Sequence, residues 1–202
     1  MGGFFGVVSE SDCVKEVFFG TDYHSHLGTC RGGMASKRGK VITRYIHDIT
    51  NTQFRSKFDE DVEKMDGNAA IGVISDYDDQ PLIINSHLGT YAIVTVGVIQ
   101  NAEVLAAKAC TERKIHFSEM SGGELNPTEL VATLIDEEDN FADGIERALE
   151  AIEGSCSLLL LTDEGIYAAR DLAGRTPVII GQKEGAYAAT MDSCAFPNLD
   201  YA

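Results

Sequence analysis

The sequence predicts an α+β fold built from two antiparallel sheets with helices on their outer faces. Three observations predict it. The segments run strands, helix, strands, helices, strands, without the strict βαβ alternation that a parallel doubly wound sheet requires. The helical segments carry their apolar residues in one stripe, which leaves one face for a sheet and one for water. The last third is a series of short strand runs divided by hairpin turn signals.

Residues 3–9 are an apolar run with glycine and fit a buried strand that opens the core. Residues 20–36, rich in Gly, His and Thr, read as a long loop, and 40–47 fits a strand. Phe54, Phe58, Val62 and Met65 recur at intervals of four, four and three, which makes one helical stripe. Asn51 or Thr52 can cap that helix, and Gly67-Asn68 ends it. Apolar runs at 69–74, 82–84 and 91–99 read as strands, with Asp76 to Pro81 as the turn between the first two. Asn101 can cap a short helix over 102–110. Asn126-Pro127-Thr128-Glu129 starts a helix that runs to about 135: Asn caps, Pro sits where no N–H is needed, and Glu can reach back. A further helix spans 141–152, with Phe141, Ile145, Leu149 and Ile152 on one face, and Gly154 stops it. Strands follow at Ser155–Thr162, Gly165–Arg170, Pro177–Gly181 and Ala186–Met191, with turns at Asp163-Glu164-Gly165 and Lys183-Glu184-Gly185.

A chain of 202 residues with 44% apolar content supports one substantial core and one domain. Its 32 acidic and 16 basic residues give a formal net charge of -16, which repels phosphate backbones and anionic lipid. Neither a nucleic acid nor a membrane is therefore expected as a partner. Cys13, Cys30, Cys110, Cys156 and Cys194 are odd in number and widely spaced, which indicates neither a disulfide framework nor a zinc site. With no signal peptide and no long apolar run, a cytoplasmic location is expected. The Met-Gly start lacks a myristoylation signal, because Gly6 stands where Ser or Thr is wanted.

Several motifs carry a resemblance. The chain opens Met1, Gly2, Gly3, Phe4, Phe5, Gly6. Arg170, Asp171, Gly174 and Pro177 are followed by Asp192, Ser193, Cys194 and Ala195, and His26-x-Gly28 precedes Gly33 by seven residues from the histidine. Together these resemble the glutamine amidotransferases of the N-terminal-nucleophile type, and most of all the glutaminase half of amidophosphoribosyltransferase. Leu27 replaces the arginine of that family's His-Arg-Gly loop. The resemblance covers nearly the whole chain. It implies a four-layer αββα sandwich and a purine-biosynthesis type of activity. It also implies a phosphoribosyltransferase half beyond residues 1–202, which would then be the N-terminal domain of a longer protein. The family as a whole implies glutamine or a related amino acid as small-molecule ligand. A homo-oligomer is compatible with it, and no cofactor is expected in this domain.

The resemblance also places the family's working positions. The nucleophilic cysteine of such enzymes, whose α-amino group can act as general base, falls on Gly2, which has no side chain. The arginine that grips the glutamine carboxylate falls on Ser75, which cannot make a bidentate charged pair. The oxyanion pair Asn-Gly falls on Val96 and Gly97, so only the Gly97 backbone N–H is left to serve. The aspartate that binds the glutamine α-amino group falls on Pro127, with Glu124 nearby as a substitute. The scaffold motifs are kept while the working positions are changed.

Other constellations are read as structure. His24, His26, Asp22 and Cys30 lie in the His-x-Gly region and read as a loop rather than metal ligands. His87 and His116 are isolated. Ser121-Gly122-Gly123, flanked by Glu119 and Glu124, reads as a flexible loop, and Asp76, Asp78 and Asp79 as a solvated turn. Three functions follow: an amidotransferase-like domain inactive as a glutaminase, an active amidotransferase whose cysteine has been exchanged for Gly2, or a small-molecule sensor using the cleft.

Overall fold

The computed structural model describes residues 2–113, 117, 120–121 and 124–202. His116, Glu119, Gly122 and Gly123 lie outside them. In chain order the elements are β1 (Gly2–Ser9), α1 (Val14–Asp22), β2 (Arg31–Arg38), β3 (Val41–Asp48), α2 (Phe54–Val62), β4 (Ala69–Ser75), β5 (Leu82–Ser86), β6 (Gly89–Ile99) and α3 (Ala102–Arg113). There follow β7 (Met120–Ser121), β8 (Glu124–Leu125), α4 (Pro127–Ile135), α5 (Phe141–Ala151), β9 (Gly154–Thr162), β10 (Gly165–Arg170), β11 (Ile179–Lys183), β12 (Ala186–Thr190) and a 3-10 helix (Ser193–Asn198).

The strands form a six-stranded sheet ordered β11-β12-β1-β4-β2-β3 and a four-stranded sheet ordered β10-β9-β6-β5, with β7-β8 as a small hairpin. All the pairings are antiparallel. Successive side chains of a strand point to opposite faces, so each central strand feeds two cores. In β1, Phe5 and Val7 face α1 and α2, where they join Val17, Phe18, Phe54 and Phe58, while Phe4 faces the other sheet. In β9, Leu159 and Leu161 meet Phe4, Ile71 and Val73 between the sheets, and Leu158 and Leu160 face α4 and α5. Three apolar layers between four layers of secondary structure make the αββα sandwich.

Small residues let these layers close. A Cβ on Gly6 would lie 2.9 Å from a Leu159 methyl and 3.2 Å from Ile71, so glycine sets the spacing of the two sheets there. A Cβ on Gly20 would overlap the Phe5 ring, and one on Gly72 would overlap Thr21, so α1 lies hard against β1 and β4. Gly154 has φ +125 and turns the chain out of α5 into β9, the conformation for which a glycine is suited.

Several expectations need correction. The long loop expected over 20–36 is confined to the turn region between α1 and β2, because Asp22 still belongs to α1 and Arg31 already begins β2. Helix α2 is capped by neither Asn51 nor Thr52. Its N-cap is Gln53, with no side-chain cap, because Thr52 N bonds back to Ile49 O and the turn uses those residues first. The helix ends at Val62, ahead of Gly67. The Asn101 side chain does not cap α3: its Nδ2 donates to Ala151 O at 2.9 Å and its Oδ1 accepts from Glu153 N at 2.9 Å. Asp76 to Pro81 is a crossover rather than a hairpin turn, since β4 and β5 lie in different sheets. The Pro177–Gly181 strand lies two residues later, at Ile179–Lys183.

Candidate functional site

A cleft of about 480 Å³ opens at one end of the sandwich, where β1 begins, β4 ends, and β6 and β9 meet the start of α4. Gly2, Ser75, Val96, Gly97 and Pro127 all line it. Five positions scattered over the sequence are thus brought to one place by strand register and one helix start. A volume of this size suits a small molecule.

Gly2 is the first residue of β1 and pairs with Ser75 of β4. A Cβ on Gly2 would overlap the carbonyl oxygen of Ile74, so main chain already fills the space a side chain would need. Ser75 is buried, and its Oγ accepts from Tyr77 N at 3.3 Å and Asp78 N at 3.1 Å. That oxygen shapes the turn after β4. Val96 is 7% exposed and packs into the core between the sheets. Gly97 lies next to it, where a Cβ would overlap Ser155 O, so β6 and β9 approach closely there. The following N–H, of Val98, donates to Ser155 Oγ at 3.1 Å. Pro127 is the first residue of α4. Its neighbour Asn126 caps the helix by accepting from Thr128 N at 2.9 Å and holds the crossover by donating from Nδ2 to Asp79 O at 3.3 Å. The side chain of Glu124 lies outside the described residues.

One structural residue of the cleft escaped the sequence. Gln80, 2% exposed, donates from Nε2 to Thr95 O at 3.1 Å and accepts from Thr95 N at 2.7 Å. Its carboxamide thus pairs with β6 as a neighbouring strand would. Thr95 Oγ1 then meets Thr128 Oγ1 at 2.6 Å, which ties β6 to α4. No sequence signal marks Gln80 for this, because its partner is a main chain fifteen residues away.

Two carboxylates border the cleft. Among the described lining residues the charged groups are Asp76 and Asp78, and there is no Lys, Arg or His. Asp76 accepts from Thr29 N at 3.0 Å. Arg31 pairs with Asp48 at 2.5 Å and Asp79 at 2.9 Å and is not among the lining residues. Cys156 is the one thiol among the described lining residues. Burial, helped by the Asp171 carboxylate, pushes it up to about 12, so it stays protonated and unreactive near neutrality. Tyr77 and Val98 stand exposed on the rim.

The residues of the His-x-Gly region do not converge. His24 is buried and bonded to Gly20 O and Thr190 Oγ1, His26 bonds Tyr23 O, and Asp22 pairs with Arg55. Among the described residues no group of three His, Cys, Asp or Glu could hold a metal ion. No helix among them is long and apolar enough to cross a membrane.

Comparison with known proteins agrees with this fold. Residues 66–195 match the model of a glutamine amidotransferase domain. The chain is 26% identical over 212 residues to an amidophosphoribosyltransferase of Methanocaldococcus jannaschii, covering 99% of this chain and 44% of that protein. It is 27% identical over 182 residues to that of Archaeoglobus fulgidus, covering 86% and 39%. The fold superposes on glutamine phosphoribosylpyrophosphate amidotransferase from B. subtilis, solved with ADP and GMP, with a TM-score of 0.87 at 23% identity, over 99% of this chain and 44% of that one. The chain therefore spans less than half the length of these relatives.

Proposed function

Because the chain belongs to the glutamine amidotransferase domain family, and within it is like the glutaminase part of amidophosphoribosyltransferase, we propose that it keeps the scaffold of that domain without releasing ammonia from glutamine. One observation carries this reading: among the described residues that line the cleft, no side chain is poised to attack an amide. Residue 2 has no side chain, and the Ile74 carbonyl fills the Cβ position. The Ser75 and Ser155 oxygens accept main-chain N–H groups, Thr95 pairs with Thr128, and Cys156 is held protonated. Among the described lining residues there is no histidine to act as a base for any of them.

A carboxylate-bearing substrate is also poorly matched. Ser75 stands where the resemblance places the gripping arginine, and its oxygen is engaged with the turn. In this reading residues 1–202 act as one domain of a longer amidophosphoribosyltransferase-like protein. Its phosphoribosyltransferase half then receives free ammonia or another amine. A cytoplasmic setting belongs to the same reading and is consistent with five free cysteines.

The test is glutamate release from glutamine by the chain and by a Gly2→Cys variant. Neither is expected to exceed the blank, since the added thiol must part β1 from β4 before it can reach substrate. Sustained release by the unaltered chain would overturn the reading. Release by the variant alone would show a sound pocket silenced at one residue, against the geometry described above. A second reading, a small-molecule sensor, draws on the open cleft and its exposed rim at Tyr77 and Val98. Thermal stabilisation by an amino acid or nucleotide, lost in Tyr77→Ala, is the result it requires.

A further inference from the structure

His24 is fully buried at the end of α1, behind the start of β1. Gly3 lies against it, since a Cβ there would sit 2.5 Å from His24 Cδ2. Its Nδ1 is 2.8 Å from Gly20 O. A carbonyl oxygen only accepts, so Nδ1 carries a proton in either charge state. Its Nε2 is 3.0 Å from Thr190 Oγ1. That hydroxyl is also 3.2 Å from Phe4 O and 3.0 Å from Asp192 O, and it accepts from Asp192 N at 3.3 Å.

Thr190 has one hydroxyl proton and three acceptors around it while the imidazole is neutral: Nε2, Phe4 O and Asp192 O. If the proton goes to Nε2, neither carbonyl receives it. Once the ring is protonated, Nε2–H donates to Thr190 Oγ1, and the hydroxyl proton is released to Phe4 O or Asp192 O. We propose that His24 and Thr190 form a proton-operated latch: the charge state of the ring decides whether the hydroxyl of β12 bonds the histidine or ties together the main chains of β1 and the Asp192 turn.

The groups facing the ring are few. Helix α1 presents the Gly20 carbonyl, and the facing part of β1 has no ionisable side chain. The Asp192 carboxylate, beyond β12, favours the charged ring, while His26, in the turn after α1, opposes it. Burial outweighs both attractions and holds the imidazole below its ordinary range, so the ring is neutral at pH 8 and charges on acidification. The consequence reaches the cleft, because the strand tied by the latch begins with Gly2 and Gly3.

The test is NMR of the whole chain between pH 8 and pH 5. The wild type is expected to show a neutral His24 with its proton on Nδ1 at high pH. Amide protection at Asp192 and Cys194, corrected for intrinsic exchange, is expected to change about tenfold as the ring titrates, a change equivalent to about one pK unit of coupling. Thr190→Val removes the switching hydroxyl and is expected to abolish that response while the ring still titrates. Thr190→Ser keeps the hydroxyl and the response, and carries the test if the valine variant does not fold. A proton on Nε2 in the neutral ring, an unaltered response in Thr190→Val, or a response absent from both wild type and Thr190→Ser would each overturn the latch.

Discussion

Gly2 and Cys156 line the same cleft, and each shows how position decides the chemistry of a residue. At Gly2 the neighbouring carbonyl leaves no room for a Cβ. Gly2→Ala is therefore expected to destabilise the fold by about 1–3 kcal/mol through overpacking, read as a lower urea midpoint at unchanged slope. An alanine variant as stable as the parent would show that the strand end yields freely. Cys156 and Cys13 are both buried and both pushed up to about 12, so neither thiol ionises near neutrality. Iodoacetamide on the native chain at pH 8 is expected to label the exposed Cys110 fastest, to label Cys194 more slowly because burial and the Asp192 carboxylate raise its thiol, and to spare Cys13 and Cys156. Rapid labelling of Cys156 would undermine the assignment of the cleft as lacking a nucleophile. His24 adds a pH dependence of definite sign. Its folded pKa lies below the ordinary imidazole value of 6.5, so the unfolded chain binds the extra proton first. Stability from this group is full above pH 6.5 and falls as pH drops from there through the folded pKa. Asp48, held down to about 2 by its bonds to Thr50 and Arg31, acts in a separate window below the ordinary carboxylate value of 3.8. Urea unfolding at pH 7.5 and 5.5 should therefore show a loss on acidification that His24→Gln reduces.

At the scale of elements, the crossover from β4 to β5 is held by its neighbours. Gly33 of β2 admits it, since a Cβ there would overlap the Gln80 carbonyl. Gln80 bonds Thr95, Asn126 bonds Asp79 O, and Arg44 donates to Pro81 O at 3.1 Å. Gly33→Ala sets side chain against main chain, which cannot swing aside. It is expected to cost about 3 kcal/mol, at the upper end of overpacking losses, with circular dichroism and a thermal melt as the measure. A loss under about 1 kcal/mol would mean that the crossover is not held there. Asn126→Ala removes a helix cap worth about 1 kcal/mol and the bond to Asp79 as well. The same region explains which elements were legible. The four leucines of β9 and the Asn-Pro start of α4 state their structure locally, through an unbroken apolar run and through capping. Strand β2 does not: it reads Arg-Gly-Gly-Met-Ala-Ser-Lys-Arg, poor in β-branched and aromatic residues. It is a strand because Gly32 and Gly33 make room for Phe54 and Gln80, so packing overrides propensity. Helix α1 carries its stripe at Val14, Val17, Phe18 and Thr21, but its β-branched and aromatic residues blur a helical reading. The candidate site was legible as positions, because a motif fixes a residue's place. Its closure was not, because overlap at Gly2 depends on Ile74, seventy-two residues away in sequence and adjacent only through the β1–β4 register.

At the scale of the whole molecule, three apolar layers hold a shell that carries a formal charge of -16. Basic residues number half the acidic ones, so pairing cannot neutralise the surface. The pairs that do form on it are often well exposed, as in Lys15–Glu63, and such pairs contribute little. Mutual repulsion of the carboxylates is then a term that opposes the compact state, and salt weakens it. Raising ionic strength from about 0.01 M to about 0.15 M shortens the screening length from about 30 Å to about 8 Å. Repulsion among distant carboxylates is screened strongly over that range, whereas the burial of Phe4, Leu159 and Leu161 between the sheets depends on it little. Sodium chloride is therefore expected to raise the melting temperature of this chain. A gain of about 1 kcal/mol corresponds to about 2–4 °C at this size. A melting temperature that falls with salt would mean that attractive surface pairs, rather than net repulsion, dominate the electrostatics of the sandwich.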